Sequence, residues 1–410
     1  MEMPSASRIK RSGAVDDETA LVSIDLDEGE RIARGEDDEQ DNCFRFMDLG
    51  DRVTSALAAG APPLDTFRLR LTDESSFDMA HRWIRRALAR RPASLALRLD
   101  VRKRPYYLQR PEFSFDDYCS RAGGVASSTR RLRTLHLRGV TLEREFEGAI
   151  AEELPVLEDL RLEKCDYSFA RIASASLRNL DIHNCNACAY NVDALVLAAP
   201  RLATLRVRGD DPPPVVASDD DGEVMPSLVA ASLEHPAGVR GVLRSLHHVT
   251  ELSLYRFGAT ALLDDGGGGG EEPTVGLLFP EFHNLRNLVL DECDVGVGCR
   301  ALRRFLQNAP GLETLALRYC SFAGGSGRSR KREARSDVDD GRRVPASFEC
   351  KSLVPASFEC KSLKSIELEF HEDNDVTELD AALEEIAKKV IHPIESCVQN
   401  GRRTVRIRYG

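Results

Sequence analysis

The sequence predicts an α/β protein in which a short repeated segment builds a parallel sheet. Two observations support this fold class. The apolar template Leu-x-x-Leu-x-Leu recurs along the 410-residue chain, and between Leu132 and Val249 successive copies start 20 to 26 residues apart. Short segments with helical spacing of apolar residues connect several of the copies. Because each copy is too short to bury its own apolar residues, the copies must stack on one another.

The copies share a second feature at the point where each predicted strand ends. Four of them place a cysteine three residues after the last apolar position, where a small and mostly buried side chain fits an inward turn. These cysteines are Cys165, Cys185, Cys293 and Cys320. The template, its spacing and the cysteines together predict a leucine-rich-repeat solenoid with a curved parallel sheet and short outer helices.

The repeat pattern extends, in weaker form, toward the N-terminus. Alternating apolar residues predict strands at Leu64–Leu71 and Ser94–Val101, with a helix from Asp78 to Arg90 between them. A further helix is predicted from Phe44 to Leu57. The alternation in Leu21–Leu26 is sufficient for one short edge strand.

The connections and the C-terminus are predicted from proline positions and periodicity. We expect helices that end at Ala199-Pro200 and Ala309-Pro310, with Leu154-Pro155 in a related place, because proline closes a helix before the next strand. A helix with an apolar face from Leu379 to Val390 and a closing strand at Thr404–Gly410 complete the chain.

These patterns divide the chain into three parts. Residues 1–42 carry most of the net charge of −11 and are predicted to be an acidic, mostly disordered arm. Residues 43–370 form the solenoid, and residues 371–410 cap its last repeat. Composition predicts flexible insertions in the solenoid at about 210–222, 264–272 and 324–353.

Composition also narrows the functional classes. The longest apolar run, Ala194 to Ala199, is far shorter than the about 20 residues of a membrane span. The N-terminus lacks the apolar core of a secretory signal, and the 11 cysteines are an odd number. We therefore expect reduced thiols and a cytoplasmic or nuclear location. The acidic overall charge gives no support to nucleic-acid binding.

Two short motifs have alternative interpretations. Cys185 and Cys188 have the spacing of a redox pair or half of a zinc site, but a structural zinc needs two further ligands, and the repeat already explains Cys185. The basic residues between Arg328 and Arg335 fit either a nuclear-import signal or a solvated loop. No set of nucleophile, base and orienting group is evident. We therefore expect no enzyme activity, cofactor, metal or catalytic residue.

The remaining candidate site is a surface. In each predicted strand the leucines face the core, and the residues between them face the concave side of the sheet. A curved row of polar side chains is typical of a face that binds another protein. The candidates for partner binding on this face are His136, Arg138, Arg161, His183, Arg206, Arg208, Tyr255, Asp291, Arg318, Glu367 and Glu369.

The chain resembles the plant F-box/leucine-rich-repeat proteins that carry an FBD-type C-terminal region. The resemblance covers roughly residues 43–410. It is carried by Phe44–Val53 with Pro62–Leu71, by Ala80–Pro92, by the repeats Leu132–Val140 and Leu285–Val295, and by Phe358–Asp375. It implies a non-enzymatic subunit of a cullin ubiquitin ligase, in which the repeats hold the protein to be ubiquitinated. It also implies that residues 371–410 are the FBD-like cap.

An F-box would dock on a Skp-type adaptor. The Leu-Pro that opens an F-box first occurs at Leu154-Pro155, and the 42 residues before the resemblance are acidic and poor in apolar residues. Adaptor binding therefore does not carry over with the resemblance. We expect a protein target on the concave face. The alternatives are a scaffold or decoy that binds the same targets without an F-box, and a small-molecule receptor.

Overall fold

A computed structural model provides the structure of the protein. It describes residues 7–11, 22–27, 54, 57, 63–72, 77–100, 129–187, 194–209, 215–217, 225–234, 243, 245–258, 280–295, 300–321, 362–371, 395–399 and 402–408. The chain divides into two units, Met1–Phe257 and Gly258–Gly410.

The described part of the first unit is built mainly from strands. Its helices are α1 (Phe77–Ala89) and α2 (Arg144–Gly148), and α2 continues into a π-helical turn at Ala149–Glu153. Its strands are β1 (Ser7–Arg11), β2 (Val22–Asp27), β3 (Leu64–Leu71), β4 (Ser94–Leu99), β5 (Thr134–Arg138), β6 (Thr141–Leu142), β7 (Asp159–Glu163), β8 (Asp166–Tyr167), β9 (Arg171–Ala173), β10 (Asn179–His183), β11 (Asn186–Ala187), β12 (Leu195–Ala198), β13 (Thr204–Arg208), β14 (Val215–Ala217), β15 (Ala230–Glu234) and β16 (Glu251–Tyr255).

The main sheet of this unit confirms the predicted parallel arrangement. Its strand order is β1-β2-β3-β4-β5-β7-β10-β13-β15-β16. Only the β1–β2 pair is antiparallel among these described strands. Two smaller sheets, β6-β8-β11 and β9-β12-β14, are also parallel. The chain passes from β7 through β8 and β9 back to β10, and from β10 through β11 and β12 to β13, so each of these two circuits adds one strand to each of the three sheets.

The apolar template forms the core of the main sheet. Leu160 pairs in register with Leu135 on one side and Leu180 on the other, and all three side chains are buried. Residues between the leucines alternate to the opposite face, as the two-residue period of a strand requires. The in-register pairing therefore stacks leucine on leucine along these strands.

Each circuit turns sharply at the end of its main-sheet strand. Gly139, Lys164 and Asn184 directly follow β5, β7 and β10, and all have left-handed backbone conformations with φ between 51° and 69°. The backbone N–H of each donates to the last carbonyl of the next main-sheet strand, at 2.8 to 2.9 Å. The predicted buried cysteines Cys165 and Cys185 directly follow Lys164 and Asn184. This hydrogen bond couples the turn of one circuit to the strand of the next.

The structure differs from the sequence prediction in three places. The predicted edge strand, β2, lies between β1 and β3. The segment before Ala199-Pro200 is strand β12 rather than a helix, because Leu195 and Leu197 alternate with outward residues and pair with neighbouring strands. The predicted loop 210–222 contains β14, which pairs with β12.

Other predicted elements either agree with the structure or lie outside the residues that it describes. Helix α1 and strands β3 and β4 occupy the predicted places, and α1 buries its apolar residues Trp83, Ile84 and Leu88. The predicted insertions 264–272 and 324–353 lie outside the described residues. So do most of the predicted helix Phe44 to Leu57 and the whole helix Leu379 to Val390.

The second unit repeats the same strand pattern. Its elements are β17 (Asn287–Asp291), α3 (Arg300–Asn308), β18 (Thr314–Arg318), β19 (Ser365–His371), β20 (Glu395–Gln399) and β21 (Arg402–Arg408). Strands β17, β18 and β19 are parallel and in register, whereas β21 runs antiparallel between β19 and β20. The predicted helix before Ala309-Pro310 is confirmed as α3, and its Phe305 ring lies 5.8 Å from Phe282. The predicted closing strand is confirmed as β21.

Truncation of one leucine in the stack should destabilise the first unit. Leu160→Ala should lower its free energy of unfolding by about 2–5 kcal/mol, because it removes buried methyl groups and leaves a cavity. Val229→Ala is the control, since Val229 is 49% exposed and its loss should cost less than about 0.5 kcal/mol. The measurement is a urea titration followed by the fluorescence of Trp83, the single tryptophan. Equal effects of the two substitutions would contradict the assignment of the core.

The turn after β5 should tolerate only glycine. A Cβ at Gly139 would lie 2.3 Å from the backbone oxygen of Leu99, and φ there is +69°. Gly139→Ala should therefore destabilise the first unit by about 1–3 kcal/mol or more. Gly148→Ala is the matched control. It has helical backbone angles, and no atom outside its own helical turn lies within 4 Å of its Cβ position, so it should stabilise by about 0.5–1 kcal/mol. The same fluorescence titration tests both substitutions, and a neutral Gly139→Ala would contradict this turn geometry.

Candidate functional site

The candidate site is the polar face of the first unit. We define the polar face as the first, third and fifth residues of strands β5, β7, β10, β13, β15 and β16, which alternate with buried leucines or their apolar equivalents. Neighbouring strands in a sheet lie about 4.8 Å apart, so these side chains form three continuous rows. Seven sequence-predicted candidates lie on the face: His136, Arg138, Arg161, His183, Arg206, Arg208 and Tyr255.

Acidic residues neutralise the arginines at the β5 end of this face. Asp100 lies directly after β4 and accepts hydrogen bonds from the Nε atoms of Arg70 and Arg138, at 2.8 and 2.7 Å. Arg70 also reaches Asp27 on β2, at 3.3 Å. Burial acts to raise the pKa of Asp100, but the two arginines outweigh burial and hold that pKa below its ordinary value. These charges therefore tie β2, β3, β4 and β5 together.

Glu163 continues the same chain of charges into β7. Its side chain is 8% exposed and accepts a hydrogen bond from Arg138. Its Oε2 lies 3.6 Å from His136 Nε2 and 3.7 Å from Arg161 Nη2. Burial, together with the charges of Arg161 and Arg98, lowers the pKa of His136, so this imidazole is neutral at pH 7. The charge of Arg138 is thus paired with Asp100 and Glu163 inside the protein.

Arginines on β13 have different surroundings. Arg161 on β7 has its Nε 3.7 Å from Asp181, the residue that pairs in register with Arg206. The Arg206 side chain itself is exposed and makes no hydrogen bond or ion pair with any described residue. Arg208 is also exposed and donates to Ser232 Oγ at 2.8 and 3.2 Å.

Glu234, the carboxylate closest in register to Arg208, contacts other groups instead. Glu234 pairs with Tyr255 in the strand register and accepts from the backbone N–H of Gly209 at 3.0 Å. It also lies 3.3 Å from Arg256. The Arg208 guanidinium instead lies 5.9 Å from the centre of the Tyr255 ring. The β13 arginines are thus the part of the polar face whose charge no described carboxylate pairs.

The other four candidates belong to the second unit. Asp291 ends β17 and is buried, and Arg318 ends β18. Arg318 lies 3.8 Å from both Glu367 and Glu369 on β19. The described candidates of this unit therefore consist of one arginine among acidic residues, in contrast to the arginine-rich end of the first unit.

The cysteines of the turns are buried thiols. Burial raises the pKa of Cys165, whereas a hydrogen bond between the two thiols lowers the pKa of Cys185. Burial likewise raises the pKa of Cys320. Cys188, the second residue of the predicted pair, lies outside the described residues. In the described ranges, no group of three or more metal-binding side chains occurs. No helix of the described chain has the length and hydrophobicity needed to cross a membrane.

Sequence reasoning missed three residues that surround the candidate arginines. Asp100, Arg70 and Ser232 contact candidate arginines or share their acidic partner, yet none was predicted as a site residue. Extension of the β4 alternation by one residue places Asp100 on the polar face, so the sequence contains a signal for it. Asp27 and Arg70 are 43 residues apart in the sequence, so no local sequence pattern indicates that they pair.

The chain is similar to a curated rice protein. The "MEIOTIC F-BOX protein MOF" of Oryza sativa subsp. japonica is 34% identical over 305 residues, which are 69% of this chain and 60% of the rice protein. The chain thus spans about 60% of the length of that relative. No protein-family model and no solved structure matches the chain.

Removal of the Asp100 charge should destabilise the first unit in a pH-dependent way. Asp100→Asn should cost about 1–3 kcal/mol at pH 7, because two arginines lose a charged acceptor. A carboxylate with a lowered folded-state pKa stabilises above its unfolded pKa, and this contribution disappears as the pH falls through the folded-state value. The difference between wild type and variant should therefore shrink below about pH 4.

Urea titrations followed by Trp83 fluorescence between pH 7 and about pH 3 measure this effect. Glu251→Gln is the control, because the Glu251 side chain is exposed at the start of β16 and has no hydrogen-bond or ion-pair partner among the described residues. Its stability should match wild type at each pH. A deficit of Asp100→Asn that stays constant with pH would contradict the proposed role of this charge.

Proposed function

We propose that the chain is the target-recognition region of an F-box-type protein that acts with a cullin ubiquitin ligase. Its role would be to hold a protein target without covalent chemistry. The similarity to the rice meiotic F-box protein, at 34% identity, supports this class of function. The resemblance of the repeats to plant F-box/leucine-rich-repeat proteins agrees with it.

The observation that carries the proposal is the construction of the polar face. Six consecutive strands of the main sheet place polar side chains in register on one side, and their apolar residues are buried on the other. Arg138, Glu163 and Asp100 fix one end of the face by ion pairs. A rigid polar surface loses little conformational entropy when it binds, which favours specific recognition of a protein.

A scaffold that holds the same target without an adaptor is the alternative. The two functions differ in one measurable property, which is binding of a Skp-type adaptor to the purified 410-residue chain. Stable co-elution of chain and adaptor would support the ligase subunit. Target binding without adaptor binding, both by this chain and by any longer product of the same gene, would favour the scaffold.

Bulky residues on the polar face should abolish target binding. Asn179→Trp and Ser253→Trp place large side chains at two points of the face and leave all its arginines in place. The matched controls are Ala175→Trp and Arg178→Trp, at exposed positions outside the three rows. Proteins captured from plant extract by the wild type should be lost with the face variants and kept with the controls, as quantitative mass spectrometry would show. A set of captured proteins that is the same for all four variants would contradict the proposal.

A further inference from the structure

We propose that the β13 region of the polar face is an oxyanion subsite for a phosphorylated or acidic segment of the target protein. The subsite consists of Arg206, Arg208, Ser232 and Tyr255. This inference rests on the proposed function, because it names the chemistry by which the same face would recognise its target.

The strand register brings these side chains together. Arg206 and Arg208 are two residues apart on β13 and face the same side, about 6.6 Å from each other along the strand. Arg206 pairs in register with Ser232 on β15, and Ser232 pairs with Ser253 on β16. Ser232, directly beside Arg206, and Ser253, one strand further on, therefore carry hydroxyl groups, which can donate hydrogen bonds to an oxyanion.

The charges around the subsite favour an anion. Each carboxylate next to it already has a cation: Asp181 lies 3.7 Å from Arg161, and Glu234 lies 3.3 Å from Arg256. At the β5 end of the face, by contrast, Glu163 approaches Arg138 directly. Two exposed guanidinium groups without a paired carboxylate match the charge of one phosphate dianion or of two neighbouring carboxylates.

One of the two arginines is already oriented. Ser232 Oγ accepts two hydrogen bonds from Arg208, and the Tyr255 ring lies 5.9 Å from the guanidinium carbon. Stacking and hydrogen bonds reduce the entropy that an arginine loses when it closes on a ligand. The Arg206 side chain remains exposed and without a described partner, so it can complete a fork around the anion.

A protein segment is a better occupant than a nucleic acid. The chain has a net charge of −11, which opposes the approach of a polyanion along an extended path. Nucleic-acid binding neutralises many phosphates in a row, whereas the unpaired positive charge here is confined to neighbouring positions on one strand. One phosphate or one acidic pair on a peptide requires only this local charge.

Fluorescence polarisation with the 410-residue chain tests the subsite. The probes are three labelled peptide pools with random flanks and a fixed centre, which is phosphoserine, an Asp-Asp pair or serine. A labelled single-stranded oligonucleotide is the nucleic-acid control. The proteins are wild type, Arg206→Gln with Arg208→Gln, and the matched pair Arg178→Gln with Arg201→Gln, whose arginines are exposed and outside the three rows. Trp83 fluorescence verifies that every variant is folded.

The expected result is tighter binding of an anionic pool than of the serine pool. That preference should fall at least tenfold in the Arg206→Gln and Arg208→Gln variant and remain in the matched pair. Preference for phosphoserine alone identifies a phosphate, and equal preference for Asp-Asp identifies any oxyanion. Equal binding of anionic and neutral pools, or an unchanged preference in the variant, overturns the proposal, as does tighter arginine-dependent binding of the oligonucleotide.

Failure of the subsite is separable from failure of the proposed function. If the tryptophan variants lose the target but the glutamine variant keeps it, the face binds a target by other contacts and the oxyanion subsite is wrong. If the tryptophan variants also keep the target, the proposed function itself is wrong.

Discussion

The structure depends on the register of its parallel strands. Each main-sheet strand of a circuit aligns its apolar positions with those of the next, so that Leu135, Leu160 and Leu180 form one continuous buried row. Because side chains alternate with a period of two, a slip of one residue would turn the leucines to solvent and the polar residues into the core. The same alignment that buries the leucines therefore also creates the polar face.

Two further devices support this register. Left-handed turn residues such as Lys164 and Asn184 bind the last carbonyl of the next strand, so each turn fixes the position of its neighbour. Lysine and asparagine at these positions indicate that the fold offsets a modest cost of backbone strain by this hydrogen bond. At the N-terminal end, Asp100 adds charged hydrogen bonds across the strands from β3 to β5. Apolar packing, turn hydrogen bonds and ion pairs thus stabilise the same strand register at different positions.

Much of the fold could be predicted from the repeated template, but the ionic contacts could not. Strands that fit the template well, such as β5, β7, β10 and β13, lie where the leucines predict them. Ala199-Pro200 predicts a helix before it, and this prediction is wrong because the alternation of Leu195 and Leu197 forms strand β12. Proline ends a strand as readily as a helix, so it marks a boundary without identifying the element.

For the candidate site too, the sequence predicts the strand positions but not the ionic contacts. The alternation of apolar and polar residues places Arg138, Arg161, Arg206 and Arg208 on one face. It does not distinguish the arginines that pair with carboxylates from those that do not. Their different roles come from residues far away in the sequence, such as Asp100, which lies 38 residues before Arg138. A sequence shows which side chains share a face, whereas the pairing of charges depends on distances that only the folded chain defines.

The central property proposed for the chain is the binding of a protein target by the polar face of the first unit. Photo-crosslinking tests it most directly, with benzoylphenylalanine introduced at Ser253 on the face and, separately, at the exposed Ala175 outside it. We expect a discrete adduct with a plant protein from position 253 after irradiation in extract, and none from position 175. Adducts from position 175 alone, or the same adducts from both positions, would contradict binding at this face.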